Sequence, residues 1–311
     1  MFLPKPPSLS SEHLSLAVII VVGLFAIIGA VFFSPWILLV ILFGAIAIFA
    51  TYKEPMWTVT FLSLWWPLEP FLLKFIPDDI YVFTRYGSEM LVYLLVAIVL
   101  FGVWTKKYHR RSTPADLPFF LFVGILIVST ILNALPIGTA FLGARQILRF
   151  VILFFVIVIR YPRRYWLRRL LAVMLVMATL QAVLGLGQTL AGGSFDSFLL
   201  PSERKTFGDI QLTEGTIQFW DPGQRVFGTM GRYDRLGTFL ALALLIVVAY
   251  AYEDKERKYP VWIGTFSLLV LPAIILTYSR SAWFGLVLGV LAIAYFKKDK
   301  RVFVSAGILA V

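Results

Sequence analysis

The sequence predicts an all-α polytopic integral membrane protein, with about ten complete transmembrane helices, the start of an eleventh and one larger outer loop. Hydrophobic residues make up 60% of the 311 residues, and charged residues only 14%. The mean hydropathy of +0.87 is far above that of soluble proteins. Apolar runs of about 20 residues, the length that crosses the hydrocarbon core as a helix, follow one another along the chain.

The apolar runs predict the order of the helices: 14–33, 36–52, 57–76, 89–104, 117–133, 147–160, 167–190, 236–252, 260–278 and 281–296. The first run is long and no small-residue cleavage site follows it, which favours an uncleaved span. The third run contains Pro67, Glu69 and Pro70, so we expect a kinked or re-entrant helix there. An eleventh helix begins at Val302, and we expect it to continue past Val311, because this stretch rises only about 15 Å.

Basic residues determine the predicted orientation. Lysines and arginines cluster in alternate loops, at 106–111, 160–169, 255–258 and 297–301. Because such residues are enriched in cytoplasmic loops, these segments and the N-terminus are predicted to be cytoplasmic. The net charge of +11 therefore reflects membrane orientation, and no nucleic-acid partner is predicted.

The longest stretch between predicted helices divides the chain into three parts. N-terminal transmembrane helices occupy 1–190, an extracytoplasmic loop occupies 191–233, and a C-terminal membrane core starts at 234 and extends to 311. Within the loop, alternating residues from Ile210 to Phe219 predict a small hairpin around Glu214 and Gly215. Loops of this length are usually either functional or disordered.

The composition excludes several kinds of catalytic site. The chain has no cysteine, and its two histidines, His13 and His109, fall in predicted cytoplasmic segments without sharing a helix face. A thiol nucleophile, a disulfide framework and an external serine–histidine–aspartate triad are therefore excluded. No metal site and no cofactor are predicted.

Arginines at the predicted outer face are the strongest sign of a functional site. Four of them flank the last predicted helices: Arg225, Arg232, Arg235 and Arg280. Outer loops normally hold few cations, and charges at membrane depth are costly, so such residues mark function by default. Guanidinium matches phosphate oxygens bidentately, which predicts a site for a phosphate or diphosphate on a lipid-borne substrate. The alternative is that these arginines anchor helix ends by snorkelling to the interface.

Neighbouring residues add detail to this site. Arg232 and Arg235 are three residues apart, so that a helix starting there would place both on one face, with Asp234 orienting one of them. Ser279 precedes Arg280 in the polar break between two helices and offers a hydroxyl to a phosphate oxygen. Arg145 enters the helix 147–160 from the outer side and shares a face with Arg149, four residues later. The pair Gly285 and Gly289 predicts close helix packing.

Two segments carry a resemblance to a known family. FGTMGRYDRLGTFLALAL (227–244) followed by LTYSRSAWFGLVLG (276–289) resembles the O-antigen ligase and polymerase-like family of bacterial membrane glycan transferases. Members show an FGTFGNPN-LA-YL type segment and then an LT-SRGA type segment that opens the next helix. The stretch Arg232 to Arg235 replaces the asparagine-rich part, and Ser281 replaces the glycine of SRG. The resemblance covers the C-terminal part of the chain.

The resemblance implies transfer or polymerisation of a glycan carried on a polyprenyl diphosphate, in an outer-face cavity of a bacterial cytoplasmic membrane protein. The expected partners are this donor, a lipid- or protein-borne hydroxyl acceptor and the lipid bilayer. It implies metal-independent catalysis, in which a histidine base beyond Val311 activates the acceptor. The expected substrate-binding residues are Arg280, Arg232, Arg235, Arg225, Arg145 and Ser279.

Other functions are compatible with the same residues. A transporter or flippase for an anionic lipid or solute would use the arginines for binding without chemistry, although no internal repeat of the kind common in transporters is evident. A non-catalytic assembly protein is a third alternative. Within the family, ligase and polymerase activity and the identity of the acceptor stay open.

Overall fold

The computed structural model describes residues 35–109, 112–201, 206–207, 210–211, 224–253 and 260–298. Helices account for most of these residues: α1 (Pro35–Lys53), α2 (Pro55–Leu72), α3 (Asp78–Trp104), α4 (Asp116–Leu132), α5 (Ile137–Arg160), α6 (Arg164–Ala191), α7 (Gly193–Leu199), α8 (Tyr233–Glu253), α9 (Pro260–Leu276) and α10 (Arg280–Lys297). A 3₁₀ turn, Leu73–Phe75, continues α2. Two short strands, β1 (Thr206–Phe207) and β2 (Ile210–Gln211), pair antiparallel.

The predicted class of fold is confirmed, whereas the predicted number of crossings is not. Five of the described helices are long and apolar enough to span a membrane, namely α1, α3, α6, α8 and α10, and α4 and α9 are apolar but shorter. These helices indicate a multi-pass membrane protein. Prolines and Glu69 interrupt the apolar residues of α2, and Arg145 and Arg149 interrupt those of α5.

The described helices coincide with the predicted runs from 36–52 to 281–296, but two of them begin earlier than predicted. α3 begins at Asp78 instead of 89, and α5 begins at Ile137 instead of 147. In both cases a proline occupies the N-cap position, and the first turns contain polar residues that an apolar run does not include. Asp78 and Asp79 also suit the positive end of the helix dipole.

Some predicted elements lie outside the described residues. These are the helix 14–33, the helix starting at Val302 and most of the hairpin in 210–219. A hairpin around Glu214 and Gly215 would pair Ile210 and Gln211 with residues later in the chain. In the structure they pair with earlier residues, because Ile210 faces Phe207 and Gln211 faces Thr206. The register therefore connects β2 to the preceding residues of the loop.

The helices pack into two neighbouring groups. In the N-terminal group, α2, α3 and α5 share a core that includes Leu62, Val92 and Leu95, and α1 packs against α2 and α3. In the C-terminal group, α8 packs against α6, α9 and α10 around a core that includes Leu236 and Leu240. Alanines on α6, α8 and α9 contribute to this second core, as is typical of membrane helices that approach closely. Contacts between α2 and α6 join the two groups.

Contacts between turns define two ends of the molecule. At the end that we name the basic end, Arg160 donates hydrogen bonds of 2.9 and 3.0 Å to the carboxylate of Glu54. Its guanidinium also lies 5.2 Å from the centre of the Tyr108 ring. At the opposite end, Lys74 Nζ donates to the carbonyl oxygens of Ser197 and Phe198, at 3.3 and 3.0 Å. Turns that alternate along the chain therefore gather at opposite ends.

Candidate functional site

Two segments that carry the family resemblance meet at the end opposite the basic end. We name this contact the α8–α10 junction, formed by residues 224–237 and 276–282. Val226 N donates a hydrogen bond of 3.2 Å to the carbonyl oxygen of Leu276. Gly237 lies so close to the second segment that a Cβ at this position would be 2.9 Å from Ala282 Cβ and from Thr277 Oγ1. A residue without a side chain is therefore required where the two segments touch.

The turn between α9 and α10 is held by its own hydroxyl groups. Thr277 Oγ1 donates to the carbonyl oxygen of Ile274 at 2.6 Å and accepts from Ser279 N at 3.2 Å. Ser279 caps α10, because its Oγ accepts a hydrogen bond from Ala282 N. Tyr278 adopts the left-handed conformation with φ of 50°. The structure thus shows an N-capping role for Ser279, which is 2% exposed, and its contact with substrate stays a prediction.

A buried glutamine of α6 anchors the loop in front of α8. Gln188 Oε1 accepts hydrogen bonds from Phe227 N at 3.0 Å and from Gly228 N at 2.7 Å. Its Nε2 donates to Asp196 Oδ1 at 2.7 Å. Gln188 and Asp196 are each 1% exposed. The backbone of the junction is therefore fixed by side chains that satisfy one another inside the protein.

A second glutamine, two turns earlier on α6, connects the loop to α2. Gln181 Oε1 accepts from Thr229 N at 3.0 Å. Thr229 Oγ1 in turn donates to the carbonyl oxygen of Pro67 at 2.7 Å. Sequence reasoning missed both glutamines, although polar residues seven apart in an apolar helix share a face and indicate a buried polar contact.

The four arginines of the predicted site lie around the junction. Arg232 donates from Nε and a terminal nitrogen to the two carboxylate oxygens of Asp234, at 3.0 and 2.9 Å, as the sequence predicts. The Arg225 guanidinium lies 4.5 Å from the centre of the Tyr233 ring. The side chains of Arg235 and Arg280 are exposed, and Arg280 is the first residue of α10.

The helix begins one residue after Arg232. α8 begins at Tyr233, and the carbonyl oxygen of Arg232 accepts its first helical hydrogen bond, from Leu236 N at 3.1 Å. Arg232 therefore occupies the N-cap position, and only Arg235 lies inside the helix. The Arg232 side chain contacts Asp234 in the first turn of α8.

The helical geometry also fixes where two of the arginines point. Gly237 and Ala282 face each other across the junction. Arg235 and Arg280 each precede these residues by two positions, which corresponds to a rotation of about 200° around an α-helix. Both side chains therefore extend from the far sides of their helices, away from the contact between Gly237 and Ala282.

The structure places Arg145 in a different part of the molecule, among the N-terminal helices. Arg145 Nε lies 3.1 Å from Glu89 Oε1 on α3, and the guanidinium lies 5.1 Å from the centre of the Tyr86 ring. The Tyr93 hydroxyl donates to the same Glu89 oxygen at 2.6 Å. Glu89 is 5% exposed, so the ion pair is largely buried. Arg145 therefore contacts α3 and not the α8–α10 junction.

No comparison with known proteins matches this chain: protein-family profiles, curated proteins and solved structures each gave no similar protein. Among the described residues, no group of three histidine, aspartate or glutamate side chains is arranged to hold a metal ion. The chemistry that the described site offers is the binding of an anion by exposed guanidinium groups on a fixed backbone.

Proposed function

We propose that this protein is a membrane glycan transferase of the O-antigen ligase or polymerase type, which binds a polyprenyl-diphosphate-linked glycan at the outer face of the bacterial cytoplasmic membrane. The observation that best supports the proposal is the contact between the two segments that resemble the family, through Val226 N and the Leu276 carbonyl oxygen. All four arginines belong to these two segments, and buried glutamines of α6 hold the backbone between Arg225 and Arg232.

In the proposed reaction, the arginines would bind the diphosphate leaving group. During transfer, the acceptor hydroxyl attacks the first carbon of the donor sugar, the bond from this carbon to the diphosphate breaks, and the acceptor proton passes to a base. Guanidinium groups stabilise the negative charge that develops on the departing diphosphate. Arg280 lies at the N-terminus of α10, where the helix dipole also favours a negative charge.

Ser279 and Arg145 take secondary parts in this proposal. Ser279 holds the first turn of α10 and so positions the backbone of Arg280. Arg145 is paired with Glu89 through Nε, so a carboxylate already neutralises part of its charge. Its contribution to donor binding is therefore expected to be smaller than that of Arg280.

The proposal includes ten complete crossings, the start of an eleventh and a cytoplasmic N-terminus. α4 and α9 have 17 residues each, which is at the lower end of the range of about 17–25 residues for transmembrane helices. Of the charged residues of α2 and α5, Glu69 is buried and Arg145 pairs with the buried Glu89 of α3. With the basic end in the cytoplasm, the α8–α10 junction would lie at the outer face.

The test of this function is the replacement of Arg280 in cells that lack the chromosomal gene. We expect such cells to accumulate a polyprenyl-linked glycan and the wild-type gene to restore its transfer. Arg280→Lys should lose most of the transfer although it keeps the charge, because lysine lacks the planar fork of guanidinium. Arg232→Lys and Arg235→Lys should have the same effect, whereas Arg163→Lys, an exposed residue at the basic end, should transfer normally.

Wild-type transfer by Arg280→Ala at normal protein level would contradict a role in donor binding and support the snorkelling of arginines to the interface. Lipid extracts should therefore be compared at equal amounts of membrane-inserted protein, measured by immunoblotting.

The main alternative, a transporter or flippase for an anionic lipid or solute, is favoured by charged residues in the N-terminal group. Glu69 lies between Pro67 and Pro70 in α2, is 7% exposed and accepts a hydrogen bond from Ser88. Together with the Glu89–Arg145 pair, this arrangement is typical of membrane proteins that move ions or substrates. Movement of a labelled anionic lipid by the purified protein in liposomes, without any acceptor, would favour this alternative.

A further inference from the structure

Glu69 of α2 is a buried carboxylate that forms no ion pair within the part of the chain that the structure describes. It is 7% exposed, and its side chain accepts a hydrogen bond of 2.8 Å from Ser88 Oγ. The other described glutamates each pair with a lysine or an arginine: Glu54 with Arg160, Glu89 with Arg145 and Glu253 with Lys297. A charged carboxylate away from water is costly unless a positive charge compensates it. Glu69 therefore requires a positive charge from another source.

Prolines on both sides of Glu69 leave backbone oxygens of α2 without their usual donors. Pro70 has no N–H, so the carbonyl oxygen of Trp66 loses the donor that an uninterrupted helix provides four residues later. Pro67 has the same effect on the carbonyl oxygen of Ser63. Trp66 precedes Glu69 by three residues and therefore lies on the same side of the helix. Carbonyl oxygens of interrupted membrane helices, together with a carboxylate, are typical ligands of small cations.

The side of α3 that faces Glu69 offers hydroxyl groups but no ion pair. Tyr81 is buried and interacts electrostatically with both Glu69 and Arg85, but Arg85 is not within ion-pair distance of Glu69. Glu89 of the same helix is already balanced by Arg145. The place therefore holds one uncompensated carboxylate among oxygen atoms, which is the ligand type that hard cations prefer.

Glu69 can be reached from the end of the molecule opposite the basic end. It lies four residues, or about 6 Å, before the 3₁₀ turn Leu73–Phe75 that continues α2. The lysine of this turn, Lys74, is directed elsewhere, because its Nζ donates to the carbonyl oxygens of Ser197 and Phe198. A cation from the solution at this end therefore has a short path to Glu69, and Lys74 does not take its place.

We propose that Glu69 and Ser88, together with the carbonyl oxygen of Trp66, bind a sodium ion. A monovalent ion fits a single carboxylate, whereas a divalent ion would leave a net positive charge in apolar surroundings. The ion would hold the interrupted part of α2 against α3. Thr229 would connect the site to the loop before α8, because its Oγ1 donates to the carbonyl oxygen of Pro67 at 2.7 Å. The site is separate from the arginines of the α8–α10 junction and does not depend on the proposed transfer reaction.

The test is thermal unfolding of the purified protein in detergent, with sodium chloride or choline chloride at equal pH and ionic strength. A ligand that binds only the folded state stabilises it, so sodium should raise the unfolding midpoint of the wild type and choline should not. Glu69→Gln keeps the size of the side chain, loses its charge and should abolish the rise with sodium. Ser88→Ala removes one neutral ligand and should weaken sodium binding by about two- to tenfold.

A direct readout and two controls accompany this test. Binding of radioactive sodium, measured by scintillation proximity, should be present in the wild type and weaker in Ser88→Ala, which keeps the test decisive if Glu69→Gln fails to fold. Glu54→Gln changes a carboxylate that Arg160 already balances, so the rise with sodium should equal that of the wild type. Arg280→Gln should also keep it, which separates this site from the proposed donor site.

Sodium binding by Glu69→Gln with the affinity of the wild type would overturn the proposal, and so would equal stabilisation by sodium and choline. A third result would also overturn it. If the wild type binds no sodium, and its infrared spectrum contains a protonated carboxyl band that Glu69→Gln removes, a proton and not a sodium ion balances this residue.

Discussion

Gly237 determines how closely α8 approaches α10. The side chains of Thr277, Ser279 and Ala282 occupy the space where its Cβ would lie. The predicted glycine pair behaves differently, because Gly289 packs against Leu245 of α8, whereas Gly285 has nothing within 4 Å of the Cβ position. Of the two residues of the GxxxG pattern, only Gly289 therefore contributes to helix packing.

Replacement of Gly237 by alanine is expected to destabilise the protein. The new methyl group would lie 2.9 Å from Ala282 Cβ, and short, buried side chains there cannot rotate away. Overpacking of this kind typically costs about 1–3 kcal/mol. The matched control Gly285→Ala should leave stability unchanged or raise it slightly, because alanine favours the helix. Thermal unfolding in detergent, followed by tryptophan fluorescence, measures the difference, and equal midpoints for Gly237→Ala and wild type would contradict the packing described here.

The elements of the candidate site are joined by α6. This helix carries Gln181 and Gln188 on one face, and each of them binds backbone groups of the loop before α8. Thr229 extends the connection to the carbonyl oxygen of Pro67 in α2. One helix thus holds the segment of Arg225, Arg232 and Arg235 against both helical groups.

Gln188→Met is expected to loosen this segment without unfolding the helices. Methionine has a similar size but removes the hydrogen bonds of Gln188 to Phe227 N, Gly228 N and Asp196 Oδ1. Because each lost buried hydrogen bond costs about 1–3 kcal/mol, amide exchange of Phe227 and Gly228 should accelerate by about tenfold or more. Hydrogen–deuterium exchange with mass spectrometry measures this rate. Leu190→Met, at an 89% exposed position of the same helix, is the control; unchanged exchange in Gln188→Met would show that the loop does not depend on Gln188.

The helices were predictable from the sequence because each long apolar run must satisfy its backbone hydrogen bonds within itself. The early starts of α3 and α5 could not be predicted from apolar runs, because their first turns contain polar residues. The partner of Arg145 was also missed. Glu89 is far from it along the chain, and only the packing of α3 against α5 brings the two together. Neither the contact between Val226 and Leu276 nor the buried glutamines that hold the loop were predicted, because both depend on how the helices pack.

At the scale of the whole molecule, side-chain contacts connect turns that lie far apart in the sequence. Glu54 and Arg160 meet at the basic end, and Lys297 pairs with Glu253 where α8 and α10 finish. Lys74 and the α7 region meet at the opposite end, on the side where Val226 contacts Leu276. The turns are grouped at two ends of the molecule. The side of the membrane on which a few turns lie therefore determines the side for all the others.

The orientation in the membrane can be tested because the chain has no cysteine, so single-cysteine variants give no background. Ser194 lies in the predicted outer stretch 194–222, and Lys107 and Arg164 lie in the predicted cytoplasmic segments 106–112 and 163–168; all three side chains are exposed. An impermeant maleimide should label Ser194→Cys in intact cells and should label Lys107→Cys and Arg164→Cys only after permeabilisation.

The possible results separate the orientation from the fold. Labelling of Lys107→Cys and Arg164→Cys alone in intact cells would reverse the orientation, place the α8–α10 junction in the cytoplasm and contradict the proposed external function. Labelling of Ser194→Cys together with only one of the other two would contradict the grouping of turns, because Tyr108 and Arg160 lie against each other at the basic end. The expected result requires both basic turns to be protected together, since the Arg160–Glu54 pair and the Tyr108 ring hold them on one side of the bilayer.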